Sequence, residues 1–408
     1  MRNSKGDKKP KKIKKASSFV FWILRIIFTP TLYLLYRFKF ERESSKDIKR
    51  PCFILSNHQT VADQFFVSVG FKFGINYVAT DSIFRHGLLS KIMIALVRPI
   101  PFSKGNSDLI AIRNMMSVIK DGGCVAMFPS GNRSCYGNES PIVPGIGKLA
   151  KKFNVPLVLV QLRGGFNTQP RWKEKPSKGK VRAVVTRVVG PEELKEKSGD
   201  ELDEIIHHEL YFDEFEYNRN AHTAFRGRHK AEYLECMLFY CPQCRSMSGL
   251  CSKGNEFFCK DCGASVKINS IGFFEKIAAA ENIPDTILEW SRKQLDYIKG
   301  FDFSGYTDKP VFSDNNITFS RVERAQRELF LGKGLIALYA DRLAVCGQEF
   351  SLTDITMAVI GARKMSIFSG NEVYSVLVPF RTNLMKYMIC GYHLRNKTLG
   401  IKEEFYGY

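Results

Sequence analysis

Residues 52–63 read Cys52-Phe53-Ile54-Leu55-Ser56-Asn57-His58-Gln59-Thr60-Val61-Ala62-Asp63, an apolar strand running straight into a polar turn that carries a histidine and then an aspartate. An imidazole at the carboxyl end of a strand faces the crevice where α/β folds bind ligands. Residues five apart on an ideal helix differ by about 140°, so His58 and Asp63 meet only if the histidine lies in the turn and Asp63 inside the helix that follows. With Asp63 taking one ring nitrogen, the other is held unprotonated toward the crevice and can accept a proton from a hydroxyl. The bland alternative is a histidine at a capped helix start.

Outward from this stretch, short runs rich in β-branched residues alternate with helical stretches: Asn76–Thr80, Val97–Phe102, Gly123–Phe128, Val155–Arg163 and Val181–Val189. Strand, helix, strand is the α/β signature. Two of these strand ends carry cations. Gly123–Met127 runs into Phe128-Pro129-Ser130-Gly131-Asn132-Arg133-Ser134, where proline and glycine force a turn and Arg133 offers a planar fork of donors suited to phosphate. Arg98-Pro99-Ile100-Pro101-Phe102-Ser103-Lys104-Gly105 places Arg98 and Lys104 around a third strand.

Together these blocks resemble the glycerolipid acyltransferase family that includes the 1-acylglycerol-3-phosphate acyltransferases. The family's marks are N-H-x4-D, a strand ending in a basic residue, F-P-E-G-T-R and a later V-P strand, and the likeness covers roughly residues 17–235. It implies an α/β unit with a mixed sheet flanked by helices. By position it makes His58 and Asp63 the catalytic pair, places the acceptor's phosphate against Arg133, Lys104 and the turn Ser130-Gly131-Asn132 with Arg98 nearby, and makes Val155-Pro156 the fourth block. Ser130 stands where the family has an acid, Asn132 where it has threonine, and Lys104 where arginine is common. Lysine attracts phosphate as a point charge without the bidentate grip. The implied reaction moves a fatty acyl group from an acyl thioester, on coenzyme A or acyl carrier protein, to the hydroxyl of a lysophospholipid, with 1-acylglycerol 3-phosphate to phosphatidic acid as the leading case.

The 408 residues, 44% hydrophobic, exceed one ordinary core and suggest several units. Of the net charge of +20, residues 1–50 hold +11, with fifteen Lys or Arg against four Asp or Glu. A basic flank beside an apolar run suits an anionic lipid surface better than nucleic acid, and no nucleic-acid partner is expected. The apolar run Ser17–Tyr36 is interrupted by Arg25 and Pro30 and ends in cations without a small-residue cleavage site. A bent pair of helices lying in the interface is expected, with a membrane span as the alternative. Membrane association on the cytoplasmic face follows, since eleven cysteines without a disulfide framework imply a reducing setting.

Residues 192–216 read as a solvated helical face. Cys241-Pro242-Gln243-Cys244 and, after fourteen intervening residues, Cys259-Lys260-Asp261-Cys262 form a zinc-ribbon pattern whose four thiolates would close a structural site. Its lysines and Phe257 and Phe258 motivate a second reading, a ribbon adaptor for nucleic acid or protein attached to an inactive domain, although the two rings fit the ribbon's own core better. Strands at Leu335–Ala340, Arg342–Cys346, Ile355–Ile360, Lys364–Phe368 and Val373–Val378, with a helix over Thr382–Leu394, resemble the pleckstrin-homology-like arrangement of a bent sheet plugged by a helix. The expected division is a membrane-anchoring segment (1–45), an acyltransferase domain (46–235), a zinc ribbon (236–268), a helical linker (269–305) and a β-rich domain (306–408).

Overall fold

A computed structural model of the chain describes residues 13–44, 47–80, 94, 97–102, 109–138, 140–323, 327–402 and 406. Seven strands, β1 (Lys39–Arg42), β2 (Cys52–Ser56), β3 (Ile75–Thr80), β4 (Ile100–Phe102), β5 (Cys124–Met127), β6 (Leu157–Arg163) and β7 (Arg182–Val189), form one sheet in the order β1-β7-β6-β2-β5-β3-β4. The run β6-β2-β5-β3-β4 is parallel, β7 is antiparallel to β6, and β1 is parallel to β7. Helices α1 (Ser18–Tyr36), α2 (Asp63–Ser68), α3 (Leu109–Lys120), α4 (Ile146–Phe153), α5 (Gly165–Thr168), α6 (Pro191–Glu196), α7 (Gly199–Leu210) and α8 (Glu214–Ala221) accompany it.

The central strand β2 explains the layering. All five of its residues are buried, because neighbours on both sides and helices on both faces leave it no wet surface. The pleat sends Cys52 and Ile54 into one core with Phe21 and Leu32 of α1 and Phe66 of α2. Phe53 and Leu55 go into the other, with Met115 of α3, Ile146 of α4 and Leu202 of α7. Burying each such large side chain stabilises by about 1.5–3 kcal/mol. The α/β unit with a mixed sheet flanked by helices is therefore present.

Two local expectations differ. The apolar run is one continuous helix, α1, with Pro30 inside it, rather than a bent pair. The missing proline N–H costs a single helical bond, and the Thr31 hydroxyl donates to the Ile27 carbonyl at 3.4 Å in the same turn. The acidic stretch forms α6, α7 and the start of α8, with a Ser198–Glu201 capping box opening α7. Its surface is mostly wet, but Glu214 is wholly buried.

Beyond Cys241 the strands β8 (Leu250–Lys253), β9 (Glu256–Cys259), β10 (Ser265–Ile268) and β11 (Phe274–Ala278) make an antiparallel ribbon ordered β11-β10-β9-β8. The ribbon thus reaches Ala278 rather than 268. Helix α9 (Ile287–Gly300), capped by the Thr286 hydroxyl, follows. The last unit contains β12 (Phe312–Val322), β13 (Glu328–Leu338), β14 (Arg342–Val345), β15 (Gln348–Ser351), β16 (Ile355–Ile360), β17 (Lys364–Ser369) and β18 (Glu372–Leu377) in the order β15-β14-β13-β12-β18-β17-β16. Helix α10 (Met385–Leu399) is packed on that sheet with most of its first three turns buried. The small β-rich unit with its final helix is as expected.

The ribbon is no separate module. One continuous apolar core runs from Tyr136, Phe166, Trp172 and Phe215 of the α/β unit through Phe257 and Trp290 to Phe319, Tyr387 and Met388. Phe257 packs against Trp290 of α9 with ring centroids 5.1 Å apart, and the Trp290 indole donates to the Tyr240 carbonyl at 2.7 Å. Asn383 ties the start of α10 to the Glu235 carbonyl at 2.7 Å.

Candidate active site and cysteine cluster

The polar turn after β2 is held from both sides. Asn57 pins it to β6, donating from its side-chain nitrogen to the Leu162 carbonyl at 2.9 Å and accepting from the Leu162 amide at 2.6 Å. Gln59 accepts from the Gly165 amide at 2.8 Å, and a Cβ on Gly165 would stand 2.5 Å from that same amide oxygen. On the other flank the Ser134 amide donates to the His58 carbonyl at 2.8 Å. The turn after β5 is thereby fastened to the turn after β2.

Within this frame Asp63 is the first residue of α2 and is completely buried. Its carboxylate takes donations from the Gln59 amide at 2.5 Å, the Thr60 amide at 2.9 Å and the Thr60 hydroxyl at 2.6 Å. Three donors at a helix start thus converge on this buried carboxylate and fix its orientation. His58 Nδ1 lies 2.7 Å from Asp63 Oδ2, and the histidine side chain is 21% exposed. Assigning the Nδ1 proton to the contact with the carboxylate leaves the Nε2 lone pair free. The ring stacks on Phe128, centroids 4.4 Å apart and planes 18° apart, which fixes its rotation.

The turn residues that follow Phe128 come to the same end of the sheet. Gly131 has φ +63° with open space around its Cβ direction, so glycine relieves strain there. Ser130 is buried and its hydroxyl donates to the Asn132 carbonyl at 3.1 Å. It is therefore spent on the turn. Arg133 is half-buried. Burial lowers its pKa, Arg171 nearby lowers it further, and Asp63 opposes both, so the guanidinium lies in the electrostatic field of the buried carboxylate.

Arg98 is not brought to this rim. It precedes β4, whose direction is that of β2 and β5, and so sits at the opposite edge of the sheet. There its guanidinium donates to the Lys15 carbonyl at 2.7 Å and its own carbonyl accepts from Asn76 at 2.8 Å. Lys104 lies outside the described residues. Asn57, Gln59 and Thr60 are the supporting residues that reading for charge and nucleophiles passed over, although all three lie within the stretch 52–63.

A second cluster is formed by Cys241, Cys244, Cys259 and Cys262, whose sulfurs all lie within 4.8 Å of one another. The Cys241–Cys262 and Cys244–Cys259 pairs are 3.8 and 3.7 Å apart. Four thiolates about 2.3 Å from a tetrahedral ion stand about 3.8 Å from each other, so the spacing fits a single metal ion. Turns hold the sulfurs: the Cys241 amide donates to the Ser246 carbonyl and the Cys259 amide to the Ala264 carbonyl, both at 2.8 Å.

Comparison with known proteins gives three kinds of likeness. Residues 37–162 match the family model described as Acyltransferase. The chloroplastic 1-acyl-sn-glycerol-3-phosphate acyltransferase BAT2 of Brassica napus is 28% identical over 142 residues, 34% of this chain and 41% of that protein. The 1-acyl-sn-glycerol-3-phosphate acyltransferase of Limnanthes alba is 25% identical over 183 residues, 43% of this chain and 63% of that protein. The chloroplastic LPAT1 of Arabidopsis thaliana, with the same enzyme name, is 25% identical over 175 residues, 42% of this chain and 49% of its own length. The matched stretch thus spans between two fifths and just under two thirds of these relatives. Among solved structures, the 1-acyl-sn-glycerophosphate (LPA) acyltransferase PlsC from Thermotoga maritima aligns with a TM-score of 0.40 at 19% identity, over 47% of this chain and 78% of that one.

Proposed function

We propose, from the match of residues 37–162 to the Acyltransferase family model, that this chain moves a fatty acyl group from a thioester to the free hydroxyl of a lysophospholipid at a membrane surface. The leading acceptor is 1-acylglycerol 3-phosphate, the substrate in the names of the Brassica and Limnanthes relatives. The observation that carries the reading is the 2.7 Å contact between His58 Nδ1 and Asp63 Oδ2 on a ring still open to solvent.

In this mechanism His58 Nε2 takes the proton of the acceptor hydroxyl as its oxygen attacks the thioester carbonyl carbon. Asp63 steadies the imidazolium that forms. The tetrahedral intermediate collapses by breaking the carbon–sulfur bond, and the departing thiolate recovers the proton from His58. Ester and thiol are the products, and no acyl group is attached to the protein. Arg133 holds the acceptor's phosphate, with Lys104 as a second cation and the Gly131–Asn132 backbone shaping the turn. Ser130, donating its proton to the Asn132 carbonyl, offers the acceptor only neutral oxygen lone pairs where the family has a charged carboxylate.

The exposed apolar surface of α1, with Trp22, Ile26, Ile27 and Leu34 all more than half bare, supports a lipid surface as the partner, and the free cysteines fit its cytoplasmic face. The helix is long and apolar enough to cross a membrane, but Arg25 near its middle favours lying along the interface. Zinc is the ion we assign to the cysteine cluster, since four thiolates and a closed tetrahedron suit it. It would brace the ribbon and take no part in the transfer. The last unit keeps its kinship to the pleckstrin-homology-like arrangement as a proposal, supported by a sheet plugged by α10.

Purified chain given a labelled acyl thioester and a panel of lysophospholipids tests the reading. Labelled phosphatidic acid from 1-acylglycerol 3-phosphate is the expected product, with the coenzyme A and carrier-protein thioesters compared as donors. Absence of transfer to every acceptor would overturn it.

A further inference from the structure

A cleft of about 370 Å³ opens where residues 171–174 of the α/β unit, Tyr233 before the ribbon and residues 360–364 and 380–381 of the β-rich unit meet. Five cations line it, Arg171, Lys173, Arg363, Lys364 and Arg381, against a single acid, Glu174. Two of the five are already neutralised, Arg381 by Glu232 and Glu235 and Lys364 by Glu328. Among the described residues no carboxylate pairs with the other three.

Those three are held in place by neutral partners. Arg171 gives one terminal nitrogen to the Val359 carbonyl and the other to Cys135 Sγ at 2.6 Å, and its Nε is buried without a partner. Arg363 donates from Nε to the Val378 carbonyl at 3.0 Å and lies over the Phe380 ring at 3.9 Å, which keeps its plane fixed. Among the described residues the Lys173 ammonium donates to the Ser177 hydroxyl alone, and burial, with Lys230 nearby, pushes its pKa down to about 8. Uncompensated cations gathered at a joint between units repel one another, and an anion seated among them removes that cost. Planar guanidinium groups match phosphate oxygens best.

We propose that this cleft is a second anion site, which takes the phosphate of a small phosphorylated molecule on Arg363 and Lys173 with the charge of Arg171 behind them. Phe380, 53% exposed and 5.6 Å from the Tyr233 ring, supplies an apolar edge for the rest of the ligand. The site is independent of the acyl-transfer reading. Because its walls belong to different units, an occupant would also fasten the β-rich unit to the α/β unit, and would do so beside Arg171, a near neighbour of Arg133.

Calorimetric titration of the full chain with pyrophosphate, adenosine 3′,5′-bisphosphate and glycerol 3-phosphate tests the proposal in wild type, Arg363→Glu, Lys173→Gln and Arg133→Ala. At least one probe should bind wild type, and roughly tenfold or more weaker in both cleft variants, with binding retained in Arg133→Ala. Preference for the nucleotide or for glycerol 3-phosphate identifies the ligand as nucleotide-like or headgroup-like. Should Arg363→Glu unfold, Lys173→Gln carries the comparison. Binding of none of the probes overturns the proposal, as does binding that Arg133→Ala abolishes and Lys173→Gln leaves unchanged.

Discussion

His58 owes its orientation to Asp63, and Asp63 is held by backbone donors that a charge inventory of the sequence does not contain. The pair itself was legible less from the His58–Asp63 spacing, which is a weak pattern alone, than from the blocks around it, the Phe128–Arg133 turn above all. Asn57, Gln59 and Thr60 were not, since their roles depend on the β6 carbonyl, the Gly165 amide and the aspartate oxygens that only the folded chain brings near. Glu214 was misread for the same reason: the stretch buries an apolar face, Leu194, Leu202, Ile206 and Leu210, and leaves most of its acids in water, yet the Glu214 carboxyl is buried between the Gly164 amide and the Asn167 side chain, each 3.1 Å away. Burial pushes its pKa up from 4.5 to about 8, against those two donations. The folded state therefore holds this proton more tightly than the unfolded chain, so the stability it contributes is full below about pH 4.5 and is lost as pH rises to about 8. Urea midpoints should fall between pH 5 and pH 8 in wild type and fall less in Glu214→Gln. Equal falls in the two would contradict this.

At the scale of elements, β2 and the strands around it were readable because parallel strands covered on both faces leave unbroken apolar runs. The strands β12, β15 and the outer half of β13 were missed. The segments Ser313-Asp314-Asn315-Asn316 in β12 and Gly332-Lys333-Gly334 in β13 look like turns; pairing carries the glycines and Lys333 as strand, while Asn315 and Asn316 form a bulge in which Asn316 keeps φ +60°. Arg98 was assigned to the wrong rim because a strand's direction within the sheet decides which of its two flanks meets the histidine. Helix α1 divides its surface, burying Phe21 and Leu32 while leaving Trp22, Ile26 and Ile27 bare. Replacing Trp22 and Ile26 together by serine should leave the fold intact and strip the protein from anionic vesicles in a flotation assay. High salt alone should release wild type only in part, since screening weakens the basic flank and not the apolar face. Full vesicle retention by the double variant would remove α1 from the lipid contact.

For the molecule as a whole, the division into an α/β unit, a ribbon and a β-rich unit followed from changes in composition, whereas their fusion through one core did not. Continuity depends on which faces meet, and residues such as Tyr136, Phe257 and Trp290 carry no mark of their partners. The adaptor reading loses ground here, because Phe257 is wholly buried against α9 rather than offered to a partner. A shared core also means that the cysteine cluster braces more than its own ribbon. If the cluster holds zinc as proposed, chelation should lower the thermal midpoint of the full chain and open the ribbon and the β-rich unit to proteolysis together. A chain stripped of metal, verified by metal analysis, that melts unchanged would show that the cluster bears no such load.

The base assignment faces its most direct trial in the single-turnover transfer of a labelled acyl group from thioester to 1-acylglycerol 3-phosphate by the His58→Ala variant. The expected result is a chain with wild-type metal content and melting behaviour whose transfer rate falls by at least the factor of about 10²–10⁴ ascribed to a positioned base. A variant that folds, binds both substrates and still transfers at the wild-type rate would contradict the assignment of His58.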